Sequence, residues 1–395
     1  MSDFLESSNY RLWIFLSSEV DACKRASICR AATLGDSSKG NRNDAMPVYT
    51  TIKASQSIDP IKELALKEDP YKHAEVSAII EDEEYLTRHF CHQIELCMSS
   101  RETRTFGFTS CENKHWRVCA TAIVYFRRFY LNNSMSVHDP RVILLGCILL
   151  AGKTEEARVE RTHELLQLNP CCTVQTLLSA ELFVIQAINF NTKVFHPQNM
   201  CQTLLSDVKR KHSAKSNMRA KDAVSIEPRV FDQWLSSAEK VLGVLQVTRA
   251  CLIYSSFNIA FAALYLTEAS AHSANLVEVK KDIVSITIKS ESDTNRVHSS
   301  TFLKYFAMQF GEDQCRLSLA CAAGIISLIE EGQNCMDGVE SPFVHAAMKR
   351  LKRRAVWGAL AAAPAGQAQE DSHGEAPETV FSSAQHSPPK KIKRG

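Results

Sequence analysis

The sequence predicts an all-α fold made of two helical bundles. Apolar residues recur at helical spacing through two long blocks, 77–197 and 229–333, and no long stretch alternates in the manner of β-strands. The two blocks have similar lengths and similar numbers of helical segments, which suggests an internal structural repeat. Apolar residues make up 45% and charged residues 23% of the chain, which is typical of a soluble globular protein.

The N-terminal half begins with residues 1–76, which are predicted to hold one helix followed by a polar insert. The helix is expected over 7–34, because Trp13, Leu16 and Val20 lie on one apolar stripe that Cys23 continues. The first block then contains five predicted helices, and the Asp-Pro pair at 139–140 opens the third of them. These helices are expected over 80–98, 115–131, 138–153, 158–167 and 173–189.

The C-terminal half begins with residues 198–228, a segment rich in Lys, Arg, Ser and Asn that is predicted to connect the two blocks. A further helix with a basic end is expected within 334–361, and the composition of 362–395 is that of a disordered tail. Helices of the second block are expected over 230–253, 256–271, 274–288, 299–308 and 313–330.

Composition and charge limit the possible classes of function. The formal net charge is +2, so nucleic acid could be bound only by local basic patches. The longest apolar run, 142–152, is too short to cross a hydrocarbon layer about 30 Å thick, and the first residues do not resemble a signal peptide. The 14 cysteines include no C-x-x-C pair, which predicts reduced and mostly buried thiols in a cytosolic or nuclear protein.

Patterns of catalytic and metal-binding sites are missing from the sequence. The segment GDSSKG at 35–40 lacks the lysine and hydroxyl positions of a phosphate-binding loop. His89, His92 and Glu95 share a helical row but have no fourth ligand at suitable spacing, so a solvated helix face is expected there. We therefore predict no catalytic residue, no metal and no cofactor. The absence of these patterns favours a binding or regulatory protein.

The stretch ATAIVYFRRFYLNN at 120–133 crowds four large aromatic residues and two arginines into one predicted helix. An Asp-Pro pair, an apolar helix and the sequence AGKTEE at 151–156 follow it. Together these residues resemble the cyclin box of the transcriptional cyclins, in particular the cyclin H branch. The segment AELFVIQAINFNTKVFHP at 180–197 resembles the fifth helix of that box. The resemblance is strong over 115–197 and fair over 229–271, and it implies two five-helix cyclin boxes with flanking terminal helices.

Most of the rings in this helix are expected to be core, since apolar groups surround much of its circumference. The two arginines lie near its C-terminal end, where cations are favourable to the helix dipole, and a structural role is expected for at least one.

The resemblance implies a non-catalytic subunit that activates a protein serine/threonine kinase. Cyclins bind a cyclin-dependent kinase and move its αC helix inward, which completes a catalytic Lys–Glu ion pair. By motif match, Lys153 and Glu181 are the polar anchors, which donate to carbonyls and accept from N–H groups of the kinase. Glu156, Ile185 and Phe190 are the other expected kinase contacts. Gly152 departs from the family pattern and is expected to loosen the helix end beside Lys153.

The cyclin H branch implies further partners and a nuclear location. Its kinase forms a module of TFIIH with a ring-finger assembly factor, and it phosphorylates other cyclin-dependent kinases and the C-terminal repeats of RNA polymerase II. No membrane and no direct nucleic-acid contact is expected. In the tail, Ser387 precedes a proline and basic residues, as do the sites of such kinases. The basic end predicts a nuclear import signal made of Lys390, Lys391, Lys393 and Arg394.

Two other classes of protein stay open at this level. One is a cyclin C-like subunit of the Mediator kinase module, which shares the cyclin boxes. The other is a transcription factor of the TFIIB type, whose two cyclin-like repeats bind promoter DNA and for which the six Lys and Arg residues of 209–221 leave room. Salt-dependent DNA binding would separate the TFIIB type from the cyclins. An unrelated helical enzyme has no motif in its favour.

Overall fold

The computed structural model describes residues 13–36, 70–99, 115–157, 165–166, 169, 172–216, 228–272, 301–336 and 342–355. Within these ranges the chain forms twelve α-helices and no β-strand, which confirms the all-α prediction. Among the same residues, no helix has the length and apolar character that crossing a membrane requires.

The helices are numbered in chain order. The first six are α1 (Ser17–Asp36), α2 (Pro70–Ser99), α3 (His115–Asn132), α4 (Pro140–Thr154), α5 (Val174–Ala187) and α6 (Pro197–Ser216). The last six are α7 (Pro228–Gln246), α8 (Ala250–Ile253), α9 (Ser256–His272), α10 (Thr301–Phe310), α11 (Glu312–Met336) and α12 (Pro342–Arg354).

The first bundle is built around α3, which packs against α2, α4 and α5. The four rings in its second half are fully buried, which explains the crowding of rings in the sequence: they are Tyr125, Phe126, Phe129 and Tyr130. Helix α4 begins where expected, since the Asp139 side chain accepts a hydrogen bond from the Arg141 backbone N–H and Pro140 occupies the first turn. Eleven of the fifteen α4 residues are buried, as its apolar sequence predicts.

The terminal helices both pack on this first bundle. Helix α1 contacts α2 and α3, and α12 contacts α2. Trp13 and Val20 are buried as expected, but the predicted stripe is wrong at Leu16, whose surface is 68% exposed. Residues 14–16 are not helical, and the Phe15 N–H donates to the Leu252 carbonyl instead, so helical spacing does not apply before Ser17.

The second bundle consists of α6, α7, α9, α10 and α11 around a separate core. Phe261 lies at its centre, with its ring centroid 4.5 Å from that of Phe306 and 5.5 Å from that of Phe302. The structure differs here from the connector expected over 198–228. Residues 197–216 form α6, and its apolar side chains enter the second core because Cys201, Leu204, Leu205 and Val208 recur on one face.

Several predicted features lie outside the described residues. They include most of the polar insert expected over 35–76, the helix expected over 274–288 and most of the helix expected over 158–167. The tail over 362–395, with Ser387 and the basic residues Lys390, Lys391, Lys393 and Arg394, also lies outside them. The end of the polar insert was wrongly predicted, because α2 begins at Pro70.

Candidate functional site

The candidate site lies where α4 and α5 pack side by side in the first bundle. Lys153, in the last turn of α4, pairs with Glu181 in the middle of α5. The lysine Nζ is 2.6 Å from one carboxylate oxygen of Glu181 and 2.7 Å from the other. The Lys153 side chain is 54% exposed, and the Glu181 side chain is 14% exposed. Exposed pairs contribute at most about 1 kcal/mol to folding, so a partner can redirect both groups at little cost.

A glycine allows α4 and α5 to approach closely at this point. A β-carbon added to Gly146 would lie 2.9 Å from the carbonyl carbon of Ala180 and 3.1 Å from the backbone nitrogen of Glu181. Real β-carbons essentially never approach another atom so closely, so the contact requires glycine. Gly146 therefore sets the distance between the two helices that carry the ion pair.

The helix that carries Glu181 also has exposed apolar side chains. Val174, Leu178 and Leu182 recur every four residues along α5, and between 38% and 51% of each remains exposed. Phe190, just beyond the helix, is 67% exposed. Ile185 is half-buried and packs against the first core. An apolar stripe beside a paired charge is the composition expected of a protein-binding surface.

Helices α4 and α5 end in the same backbone motif. At the end of α4, the Ala157 N–H donates to the Gly152 carbonyl and the Glu156 N–H to the Lys153 carbonyl. Glu156 is exposed and takes a left-handed conformation with φ of 54°. These are the two hydrogen bonds of a Schellman motif. The α4 helix continues through Gly152 to Thr154, so this glycine does not end the helix before Lys153.

The end of α5 repeats this motif with other residues. The Phe190 N–H donates to the Ile185 carbonyl, and the Asn189 N–H donates to the Gln186 carbonyl, both over 2.9 Å. Asn189 and Phe190 have φ of 53° and 56°. A bulky residue is rare in this left-handed region, which glycine usually occupies. Three of the five predicted contact residues, Glu156, Ile185 and Phe190, thus belong to these two helix ends.

A buried polar cluster lies behind the end of α4. The Thr121 hydroxyl of α3 donates to a carboxylate oxygen of Glu155 over 2.7 Å. His196 Nε2 is 3.2 Å from the same hydroxyl and 3.4 Å from the same carboxylate oxygen. The hydrogen bond from His196 is the main reason why the pKa of Glu155 is lowered, and the bond from Thr121 acts in the same direction.

Two more residues of α3 reach the end of α5. The Tyr125 hydroxyl donates to the Thr192 carbonyl over 2.6 Å, and burial raises the pKa of Tyr125 to about 12. The buried Arg128 donates to the Asn191 carbonyl over 3.3 Å, and its guanidinium lies 4.7 Å from the centre of the Trp13 ring. Burial lowers the pKa of Arg128 to about 10, so it stays charged at neutral pH.

Sequence reasoning did not assign Thr121, Tyr125 and Arg128 to the site. Their spacing of four and three residues places them on one face of α3, and this spacing is the sequence pattern that could have identified them. The acceptors of Tyr125 and Arg128 are backbone carbonyls, which have no sequence signature.

The other charged groups of the first bundle are structural. The buried Arg127 pairs with Glu84 over 3.3 Å and donates to the Val247 carbonyl of the second half. His92 lies 3.2 Å from Glu95, as their helical spacing predicts. No group of three or more possible metal ligands occurs in the part of the chain that the structure describes.

Known proteins resemble this chain in sequence and in fold. The family profile described as the N-terminal domain of cyclins matches residues 109–193. Cyclin-H of Xenopus laevis is 30% identical over 198 residues, which are 49% of this chain and 57% of that protein. A putative cyclin-H of Dictyostelium discoideum is 25% identical over 167 residues, which are 42% of this chain and 55% of that protein. The chain therefore spans a little more than half of each of these relatives.

A cyclin of another type and a solved structure are also similar to this chain. Cyclin-C1-1 of Oryza sativa subsp. japonica is 32% identical over 99 residues, 23% of this chain and 38% of that protein. A chain in the structure of the CAK complex from Chaetomium thermophilum bound to ATP-γ-S superposes with a TM-score of 0.56. That superposition covers 96% of this chain and 98% of the other at 16% identity, and it shows a common fold.

Residues 109–193 are thus similar to the N-terminal domain of cyclins, and the chain shares its fold with a chain of the CAK complex. Among the cyclins, the chain is similar to cyclin H over about half of its length, as the sequence around 120–156 predicts.

Proposed function

We propose that this chain is a cyclin H-like regulatory subunit that binds and activates a cyclin-dependent kinase. The main support for this proposal is the Lys153–Glu181 pair, which a partner can reach from solvent. Glu181 shares α5 with exposed apolar residues. Lys153 offers three N–H donors and Glu181 two acceptor oxygens, which suits them to the backbone groups of a partner helix. Leu178, Leu182 and Phe190 supply apolar area around these polar contacts.

The proposed mechanism is positioning of the kinase αC helix. Held against the surface of α4 and α5, αC carries its glutamate toward the kinase lysine, and the resulting ion pair makes the kinase active. The chain itself contributes no reacting group. The resemblance to the cyclin H branch implies phosphorylation of other cyclin-dependent kinases and of RNA polymerase II repeats, with an assembly factor and TFIIH in the nucleus.

Binding and kinase activity test this proposal directly. The full chain is mixed with a purified kinase of the CDK-activating type, and Kd and phosphorylation of a polymerase repeat peptide are measured. Changing Lys153→Ala or Glu181→Ala should each weaken binding about tenfold or more, since a buried partner group loses its hydrogen bond. The matched control is Glu312→Ala with Arg316→Ala, an exposed pair in α11 of the second bundle.

The outcomes separate the possible assignments. Loss of binding in the Lys153 and Glu181 variants, with normal binding in the control, supports the proposal. Failure of the unchanged protein to bind any cyclin-dependent kinase overturns it. Capture of a Mediator kinase in place of a CDK-activating kinase keeps the mechanism but assigns the chain to the cyclin C type.

A further inference from the structure

We infer that one buried face of α3, formed by Thr121, Tyr125 and Arg128, positions the kinase-binding surface, with the Tyr125 hydroxyl as its central contact. The inference rests on the proposed kinase-binding function and adds the residues that hold its surface in shape. None of these three side chains is itself exposed enough to touch a partner, because each is at most 2% exposed.

The hydroxyl of Tyr125 connects the ends of α4 and α5. It donates to the Thr192 carbonyl, two residues beyond Phe190, and lies 3.2 Å from the Thr154 hydroxyl at the end of α4. Thr154 directly follows Lys153. The Tyr125 hydroxyl therefore contacts the backbone two residues after Phe190 and the side chain directly after Lys153.

The neighbouring residues on the same face hold the same two segments. Thr121, one turn before Tyr125, binds Glu155, which lies between Thr154 and the left-handed Glu156. Arg128, about one turn after Tyr125, binds the Asn191 carbonyl, directly after Phe190. The helix end at α4 thus has contacts from Thr121 and Tyr125, and the segment after α5 has contacts from Tyr125 and Arg128.

The hydrogen bonds of the Schellman motif offset part of the backbone strain at these two helix ends, and contacts from α3 add to them. Left-handed conformations at Glu156, Asn189 and Phe190 cost roughly 1 kcal/mol each, and residues keep them only when the surroundings hold them in place. The exposed Lys153–Glu181 pair is too weak to supply that restraint. Buried hydrogen bonds from α3 are strong and directional enough, because an unmade bond there leaves a carbonyl without a partner.

Two tyrosines of α3 give a matched experiment. Tyr125 and Tyr130 are both fully buried, and each hydroxyl donates to a backbone carbonyl, that of Thr192 or that of His138. The His138 carbonyl precedes the start of α4, at the opposite end of that helix from Lys153. Tyr125→Phe and Tyr130→Phe should therefore lower the melting temperature similarly, while only Tyr125→Phe should raise the kinase Kd, by about fivefold to tenfold.

A double-mutant cycle shows whether Tyr125 acts through the surface. If it positions Phe190, then Tyr125→Phe should have much less effect on Kd in a Phe190→Ala background, because the positioned group is gone. All variants are compared at a temperature where each is fully folded by circular dichroism. If Tyr125→Phe does not fold, Thr121→Val replaces it, with Thr267→Val of the second bundle as its control because that hydroxyl also lies buried.

Failure of this inference is distinguishable from failure of the proposed function. Equal Kd values for Tyr125→Phe and Tyr130→Phe, or additive effects in the cycle, overturn the positioning role while the kinase-binding surface stands. No kinase binding by the unchanged protein overturns both. A selective and non-additive loss at Tyr125 establishes the α3 face as the support of the surface.

Discussion

The two bundles of this chain share a helical architecture but differ in what fills their interiors. In the first bundle, charged groups are buried with the rings: Arg127 beside Glu84, Lys24 beside Glu83, and Arg128 over Trp13. The second bundle has a mainly aliphatic core and buries the carboxylate of Glu268. Five phenylalanines are in ring contact there: Phe257, Phe261, Phe302, Phe306 and Phe310. The family profile matches residues 109–193, which include α3, α4 and α5 of the first bundle.

This difference indicates that the bundles meet different requirements. Apolar contacts are not directional, so a mainly apolar core tolerates small shifts of its helices better than a network of buried hydrogen bonds does. A buried guanidinium or hydroxyl stabilises the fold only when its acceptors lie in particular places, since an unpaired buried group costs free energy. We infer that directional contacts are concentrated where the positions of two helix ends matter for binding.

Replacing Arg127 should have the largest effect on stability if buried charges hold the first bundle together. Arg127→Met leaves Glu84 without its nearest cation and the Val247 carbonyl without a donor, so the free energy of unfolding should fall by roughly 3 kcal/mol or more. Chemical denaturation measures this change. Adding Glu84→Gln should recover part of the loss, because no uncompensated charge then remains in the core.

A surface pair of the second bundle supplies the control. Arg210 pairs with Asp207 on α6, and its side chain is 75% exposed, so Arg210→Met should change stability by less than about 1 kcal/mol. Similar losses from Arg127→Met and Arg210→Met would contradict the view that buried charges hold the first bundle together.

Acid should weaken the first bundle through His138. This ring lies between Phe129 and Phe183, and burial lowers its pKa to about 4. The unfolded chain binds the proton near pH 6.5 but the folded chain only near pH 4, so stability should fall as the pH drops through this window. The full loss is about 3 kcal/mol.

Urea denaturation at pH 7, 6 and 5 measures this effect. His138→Phe keeps an aromatic ring and removes the titrating group, so its stability should depend less on pH over this range. An equal slope in the variant and the unchanged protein would show that other groups cause the acid sensitivity.

The sequence was informative where residue types follow a recognisable order along the chain. Lys153 and Glu181 were predicted by motif to contact a kinase, which stays a prediction, and the structure pairs them with each other. The buried rings of α3 were expected from a helix that is apolar on most sides. Both features rest on residue types that occur in a recognisable order along the chain.

The sequence was less informative where backbone groups or local geometry decide the structure. The Schellman ends of α4 and α5 have Glu156 and Asn189 where glycine is usual, so no composition signal marked them. The many polar residues of 198–228 concealed the apolar face of α6, which only the second core reveals. Leu16 was misplaced because the chain before Ser17 follows a hydrogen bond to Leu252 and not a helical path.

Alanine at two helical glycines, one in each bundle, should change stability in opposite directions. In α4, Gly146→Ala places a methyl group 2.9 Å from the Ala180 carbonyl carbon, which should push α5 away and cost about 1–3 kcal/mol. In α7 of the second bundle, nothing lies within 4 Å of a β-carbon at Gly243. Gly243→Ala should therefore stabilise the protein by about 0.5–1 kcal/mol, since alanine is the better helix former.

Thermal denaturation of the two glycine variants tests both signs, and kinase binding adds a second readout. Because Gly146 sets the distance between Lys153 and Glu181, Gly146→Ala should weaken kinase binding even where the variant is fully folded. Gly243→Ala should leave the Kd unchanged while raising the melting temperature. If Gly146→Ala binds the kinase normally, the close approach of α4 and α5 matters for packing alone, and the surface tolerates more movement than its hydrogen bonds indicate.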